Sequence, residues 1–206
     1  MWYRIGFTLS FIIFKCFFFL KVLGKDKIRE SWKQGGVLLV ANHTSYFDPP
    51  IVGVSYRKKT AFLARKTLFK KGFFAWLYPR LNAIPVDQDG PDMGSLKRII
   101  KELKSGNPVL IFPEGQRSEN GEILKGEAGV GLVIAKSKAP VLPLRISGAY
   151  EAFPRGAKFP KMFTKITVSV GEMITFGESD LNIKSRENYQ NISDQVMESI
   201  AAIKTS

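Results

Sequence analysis

The residues best suited to proton chemistry lie in one stretch, Asn42-His43-Thr44-Ser45-Tyr46-Phe47-Asp48-Pro49, which holds the only histidine of the chain. A free imidazole is mostly neutral at pH 7, so one ring nitrogen can accept a proton from a substrate hydroxyl. Asp48 is the candidate partner. On a regular helix the two side chains would point about 140° apart, so they meet only if the stretch is a turn. Thr44 and Ser45 can bond local backbone, and Asp48-Pro49 reads as a helix N-cap followed by the first helical residue. From the cap the carboxylate can reach back to Nδ1–H of His43, leaving Nε2 as the base. Two plainer readings stand beside this one: a lone histidine near an apolar strand is often structural, and an Asp before Pro is often only a cap.

A second stretch adds to the first. Phe112-Pro113-Glu114-Gly115-Gln116-Arg117-Ser118 ends an apolar run and opens a loop. Pro113 and Gly115 make a tight turn that presents Glu114 and Arg117 together. Arg117 can grip a phosphate or carboxylate through two parallel hydrogen bonds. Glu114 would repel a phosphate, so it is better placed to accept from a substrate hydroxyl or to orient Arg117. A structural ion pair is the alternative.

Elements that could position both stretches are legible around them. Short apolar runs at 37–41, 60–64, 83–86, 108–112, 141–147 and 165–170 read as strands. Amphipathic stretches at 93–105 and 127–138, and a final one from Ser185 with apolar residues at three- and four-residue spacing, read as helices. Strands alternating with helices predict an α/β domain whose central sheet is mainly parallel and flanked by helices. Sites in such sheets gather beyond the carboxyl ends of strands, which is where both stretches fall. At 206 residues and 45% hydrophobic composition, one core is expected.

The net charge of +13 implies an anionic partner: nucleic acid, anionic lipid, a phosphorylated substrate or an acidic carrier protein. Arg57, Lys58, Lys59, Arg65, Lys66, Lys70 and Lys71 cluster without an acidic residue among them, next to Phe69, Phe73, Phe74, Trp76, Leu77 and Tyr78. Basic and aromatic residues together suit a membrane surface and also single-stranded nucleic acid. The single cysteine, Cys16, excludes an internal disulfide. No His/Cys set suits a metal.

Residues 5–23 contain only Lys15 and Lys21 as charges. As one helix they would extend about 28 Å, close to the roughly 30 Å hydrocarbon core of a bilayer. Lys15 would then sit mid-bilayer, at a cost of about 2.5–3.5 kcal/mol. Arg4, Thr8, Lys15, Lys21 and Lys25 share one arc of the helical wheel, and Phe11, Phe14, Phe17, Phe18 and Phe19 lie mostly outside it. That pattern predicts a monotopic amphipathic anchor over residues 1–34, followed by an α/β domain over residues 35–206. A buried core helix is the alternative.

Taken together, His43 to Asp48 (H-x-x-x-x-D) and Phe112 to Ser118 (F-P-E-G-x-R-S) resemble the motifs of the glycerophospholipid acyltransferase family, most closely the lysophosphatidic acid acyltransferases. Val141-Leu142-Pro143-Leu144 is similar to the family's V-x-P-x element, and Lys125-Gly126 to the lysine-glycine after the second motif. One departure is plain. Where the family has G-x-I-P-V-D-R, this chain reads Asn82-Ala83-Ile84-Pro85-Val86-Asp87-Gln88, without the glycine or the arginine.

The resemblance implies transfer of a fatty acyl group from acyl-CoA or acyl carrier protein, a co-substrate rather than a cofactor, to the free sn-2 hydroxyl of 1-acylglycerol 3-phosphate (lysophosphatidic acid). Phosphatidic acid would be the product. It implies His43 as general base, Asp48 as its partner, and Glu114, Gly115, Arg117, Ser118, Lys125 and Pro143 at the substrate. With Gln88 in place of the arginine, Arg117 or Lys125 would carry more of the acceptor phosphate. Oxyanion donors are expected among backbone amides at the helix opening after Asp48, and no metal is implied. The implied setting is the cytoplasmic face of a membrane bearing anionic lipids, with no nucleic acid. The alternatives are an enzyme of the same family acting on glycerol 3-phosphate, a lysophospholipid or a lyso-ornithine lipid, and, more remotely, a basic nucleic-acid-binding module.

Overall fold

The structure, a computed structural model, describes residues 1–87 and 92–205. Seven strands form one sheet: β1 (Lys21–Leu23), β2 (Leu38–Ala41), β3 (Ala61–Arg65), β4 (Ala83–Val86), β5 (Val109–Ile111), β6 (Val141–Ser147) and β7 (Thr167–Val170). Their order is β1-β7-β6-β2-β5-β3-β4. Every neighbouring pair is parallel except β6 with β7. The mainly parallel α/β architecture is therefore the one the strand-helix alternation predicts. The central strand β2 is apolar throughout because both of its faces are covered. Leu39 and Ala41 point into one apolar layer, Leu38 and Val40 into the other.

Helices close both layers. On the Leu39 side lie α1 (Trp2–Phe17), α2 (Lys25–Ser31) and α3 (Asp48–Tyr56). On the Leu38 side lie α5 (Met93–Lys104), α6 (Ala128–Ser137) and α9 (Arg186–Ala202), whose Ile192, Val196 and Ile200 form the packing face expected from their spacing. Gly131 lets α6 approach α9 closely, since a Cβ there would lie 1.9 Å from the Tyr189 carbonyl oxygen. A short helix α4 (Gly72–Arg80), preceded by a 3-10 turn at Lys66–Phe69, sits beyond β3, and α7 (Ala149–Ala152) and α8 (Glu178–Asn182) complete the set. The departure from the family pattern at Gln88 lies outside the described residues.

The amino-terminal segment differs from its expected form. The helix ends at Phe17 rather than continuing through residue 23, because the chain turns at Phe19, where φ is +46°. The Leu20 amide donates back to Phe14 O at 3.0 Å, and Lys15 Nζ caps the turn at Leu20 O, 2.6 Å away. Residues 21–23 then pair with β7 as an edge strand, so Lys21 and Lys25 do not share a helical face with Arg4, Thr8 and Lys15. Phe14 and Phe18, expected to face lipid, are 3% and 1% exposed and pack edge-on against Phe47. Phe11 is half-buried under the Arg57 guanidinium; only Phe17 and Phe19 of the five point outward. Phe14, Phe18, Leu20 and Ile28 share one core with Leu39 and Leu142, so no break in the core falls at residue 34.

Candidate active site

The carboxyl ends of β2, β5 and β6 bring the informative residues together. Asn42 follows β2 directly, and its buried side chain bonds both ways to Ile146 of β6: Nδ2 donates to the Ile146 carbonyl at 3.0 Å and Oδ1 accepts from its amide at 2.8 Å. That pair extends the sheet by one side chain and fixes where the turn begins. Asp48 is fully buried, and its Oδ2 accepts three hydrogen bonds: from Thr44 N and Ser45 N, both at 2.7 Å, and from His43 Nδ1 at 2.8 Å. Because an ionised carboxylate only accepts, Nδ1 carries the hydrogen and Nε2 bears the lone pair of the neutral ring. His43 stacks on Phe112, ring centroids 4.0 Å apart, and 18% of its side chain is exposed, at the wall of a cavity.

Asp48 is the first helical residue of α3 rather than its N-cap, which is Phe47. Pro49 and Pro50 follow it and have no N–H, so the carboxylate has nothing to cap ahead and turns back onto the loop. The same prolines remove the backbone amides at the helix opening that were expected to hold an oxyanion. The next amide, Ile51 N, is already bonded to Phe47 O at 2.9 Å.

The second motif holds the first by its backbone. Glu114 Oε1 accepts the His43 amide at 3.0 Å, and the Ser118 amide donates to the His43 carbonyl at 2.8 Å. Glu114 and Ser118 are thus buried supports for the His43 backbone, and the Ser118 hydroxyl donates to Asn120 Oδ1 at 3.0 Å. Gly115 takes the turn at φ +69° with its amide on Phe112 O. Burial pushes the Glu114 carboxyl up to about 7, and the nearby Asp48 charge acts the same way, while the amides of His43 and Leu124 oppose the shift.

The cavity beside His43 holds about 800 Å³. It is lined by His43, Tyr46 and the cations Arg65, Arg117 and Arg155, by hydroxyl side chains such as Ser10 and Thr60, and by apolar side chains including Phe7 of α1, Val54 of α3, Leu63 of β3 and Leu77 of α4. Arg117 lies flat on the Tyr46 ring, its Cζ 3.6 Å from the centroid. Of the six residues expected at the substrate, Arg117 alone lines this cavity. Lys125 is exposed and away from its wall. Pro143 is buried within β6 opposite Val40 and borders a separate hollow with Gly171 and Ile203. Tyr46 and Arg155 were not anticipated. The only sequence signal for Arg155 is its place between Pro154 and Gly156, a turn after a strand.

A family model described as Acyltransferase matches residues 19–147. The chain belongs to the acyltransferase family. Among relatives of this acyltransferase, the 1-acyl-sn-glycerol-3-phosphate acyltransferase of Bacillus subtilis is 29% identical over 141 residues, 66% of this chain and 68% of that protein. That of Pseudomonas aeruginosa is 30% identical over 128 residues, covering 60% of this chain and 49% of the other. A chloroplast enzyme of the same name from Arabidopsis thaliana is 29% identical over 58% of this chain, which spans 34% of the plant protein. The crystal structure of the 1-acyl-sn-glycerophosphate acyltransferase from Thermotoga maritima superposes with a TM-score of 0.69 at 25% identity, covering 100% of this chain and 80% of that one.

The raised Glu114 carboxyl gives this acyltransferase a testable pH signature. A group whose folded pKa lies above its unfolded value of 4.5 favours the fold below that value, and the contribution is lost as pH rises through about 7. Glu114→Gln keeps the acceptor for the His43 amide and cannot ionise. The Tm of the variant relative to the parent is expected to rise between pH 4.5 and 7 and then level off. A difference that does not change with pH would show that the carboxyl does not titrate there.

Proposed function

We propose that the protein moves a fatty acyl group from acyl-CoA or acyl carrier protein to the free sn-2 hydroxyl of 1-acylglycerol 3-phosphate, forming phosphatidic acid. The observation that carries this reading is the pairing of His43 with buried Asp48 at a cavity whose lining combines arginines with many apolar side chains. Its volume of about 800 Å³ lies within the roughly 300–1,000 Å³ usual for small-molecule sites. The apolar side chains of the lining suit an acyl chain, and Arg117 suits a phosphate. The relatives named for the same reaction support the choice of acceptor.

In this reading Nε2 of His43 takes the hydroxyl proton as the acceptor oxygen attacks the thioester carbonyl. The new C–O bond forms and the carbonyl becomes a tetrahedral oxyanion. Its collapse breaks the C–S bond, and the departing thiolate receives the proton held by the imidazolium. Asp48 remains ionised and stabilises that imidazolium. Such assistance supplies about 10²–10⁴-fold, with positioning in the cavity supplying more.

The setting we propose is a membrane surface rich in anionic lipid, reached from the cytoplasmic face. The outer face of α1 exposes Ile5, Leu9 and Ile12. Trp2 meets Trp76 of α4 edge-on at 4.6 Å, which joins this face to exposed Phe73 and Phe74. At the other end of α1, Phe17 and Phe19 lie against Phe163. Lysines border the band at both ends, Lys70 and Lys71 beside α4 and Lys161 and Lys165 beside Phe163. Among the described residues no helix is long and apolar enough to cross a bilayer; the contact proposed for the band is with one face of the membrane.

Two experiments test this. Purified protein is given labelled acyl-CoA or acyl carrier protein with 1-acylglycerol 3-phosphate, glycerol 3-phosphate, a lysophospholipid or a lyso-ornithine lipid. The highest kcat/KM is expected with 1-acylglycerol 3-phosphate, and a higher value with any of the others would overturn the acceptor assignment. In flotation with vesicles containing anionic lipid, the parent should float even at high salt. Leu9→Glu combined with Phe73→Glu should leave the protein at the bottom of the gradient. Flotation of the double variant at the parent level would exclude the band as the contact surface.

A further inference from the structure

We propose that Arg155 is a second phosphate-gripping residue, closing with Arg117 on the phosphate of the acceptor. The inference rests on the acyl-transfer reading above and assigns a part of that site carried by neither of the two motifs.

The two arginines come from different strands and reach the same cavity. Arg117 follows β5, whereas Arg155 follows β6 and α7, and both line the cavity that His43 borders. The loop carrying Arg155 is stitched to the turn carrying His43. Ser45 pairs with Pro154 as an isolated antiparallel bridge, and the Ser45 hydroxyl donates to the Phe153 carbonyl at 2.7 Å. Phe153 also packs on Tyr46 and Phe47, with centroids 5.2 and 5.0 Å away. The loop carrying Arg117 is tied to the same region, because Tyr150 of α7 donates to the Glu119 carbonyl at 2.7 Å. The backbone positions of both arginines relative to His43 are therefore set by these contacts.

Tyr46 lines the same cavity as both arginines. Hydrogen bonding and the charge of Arg117 hold its phenol below the usual range, and the charge of Arg155 and the Gly156 amide act in the same direction. With two guanidinium groups lining one cavity, a phosphate entering it offers oxygens that can accept from both forks.

Arg155 is held meanwhile by Glu119, Nη1 to Oε1 3.1 Å, in a pair whose side chains are 49% and 81% exposed. Exposed pairs of this kind contribute little to stability. A doubly charged phosphate arriving in the cavity can displace the Glu119 carboxylate at small cost, so the pair acts as a placeholder. Lys125, the other cation expected to share the phosphate, is exposed and does not line the cavity.

The test uses full-length protein in detergent, with Arg155→Ala, Arg155→Lys, Glu119→Gln and Lys125→Ala, each checked for unchanged circular dichroism. Two readouts are needed. In the first, dodecyl phosphate and dodecanol are titrated as binding probes. Arg155→Ala should weaken dodecyl phosphate by about tenfold and leave dodecanol unchanged. Arg155→Lys, which keeps charge but loses the fork, should fall between, Glu119→Gln should bind dodecyl phosphate at least as tightly as the parent, and Lys125→Ala should match the parent. Equal dodecyl phosphate affinity in Arg155→Ala and the parent would overturn the proposal, as would an equal loss in Lys125→Ala, which would mark a diffuse field instead of a contact. In the second readout, Arg155→Ala should raise KM for 1-acylglycerol 3-phosphate with kcat little changed; a fall in kcat at constant KM would also overturn it. A parent that binds dodecyl phosphate through Arg155 yet transfers no acyl group would refute the acyl-transfer reading and leave the anion site standing.

Discussion

The constraint on which the site depends is the burial of the Asp48 charge. An ionised carboxylate removed from water is costly unless its oxygens are satisfied. Here Oδ2 takes the amides of Thr44 and Ser45 and Nδ1–H of His43. Oδ1 accepts no hydrogen bond among the described residues, so the stabilisation of this charge passes through one oxygen. Those three donors can converge only if residues 43–45 wrap around the carboxylate, which makes the turn a consequence of the charge. The two prolines after Asp48 contribute by offering no competing amide. Asn42 anchors the entry of the turn to β6, and Glu114 and Ser118 clamp the backbone of His43 from the far side. Orientation of the imidazole is thus set by a network of buried hydrogen bonds whose loss would be costly, with Asp48 Oδ1 and Glu114 Oε2 the atoms of these two carboxylates that make none among the described residues.

The amino-terminal helix serves two surfaces at once. Its inner residues Tyr3, Phe7 and Ser10 line the cavity, and its outer residues Ile5, Leu9 and Ile12 face away from the protein. A helix apolar on both sides is unstable as a solvated surface element, which is consistent with an apolar medium beyond it. The amphipathic polarity is therefore different from the one the charged residues suggest: Lys15 closes the end of the helix onto Leu20 O, and Lys21 belongs to a strand.

Much of the scaffold was legible in the sequence because the central strands β2 and β5 are buried throughout and read as unbroken apolar runs, and the strands beside them are still mostly apolar. Ala83–Val86 and Val141–Ser147 coincide with β4 and β6. The His43-Asp48 pair was legible because the need for a turn follows from helix geometry alone. By contrast β1 has three residues and starts with a lysine, too short to interrupt the apparent helix before it. The antiparallel pairing of β7 depends on the long return through residues 153–165, which carries no periodic signal. Lys125 and Pro143 were placed at the substrate by resemblance to motifs, which carries no information about side-chain direction; one lies outside the cavity and the other inside the sheet. Arg155 was invisible for the opposite reason, since only tertiary stitching through Ser45 and Phe153 brings it beside Arg117.

The central claim is that Nε2 of His43 removes the acceptor proton. The most direct measurement is single-turnover acyl transfer from labelled acyl-CoA to 1-acylglycerol 3-phosphate by His43→Ala, with thermal unfolding and vesicle flotation compared with the parent. The account predicts a loss of at least about 10²–10⁴-fold in rate with both control properties retained. A rate within a few-fold of the parent would contradict it.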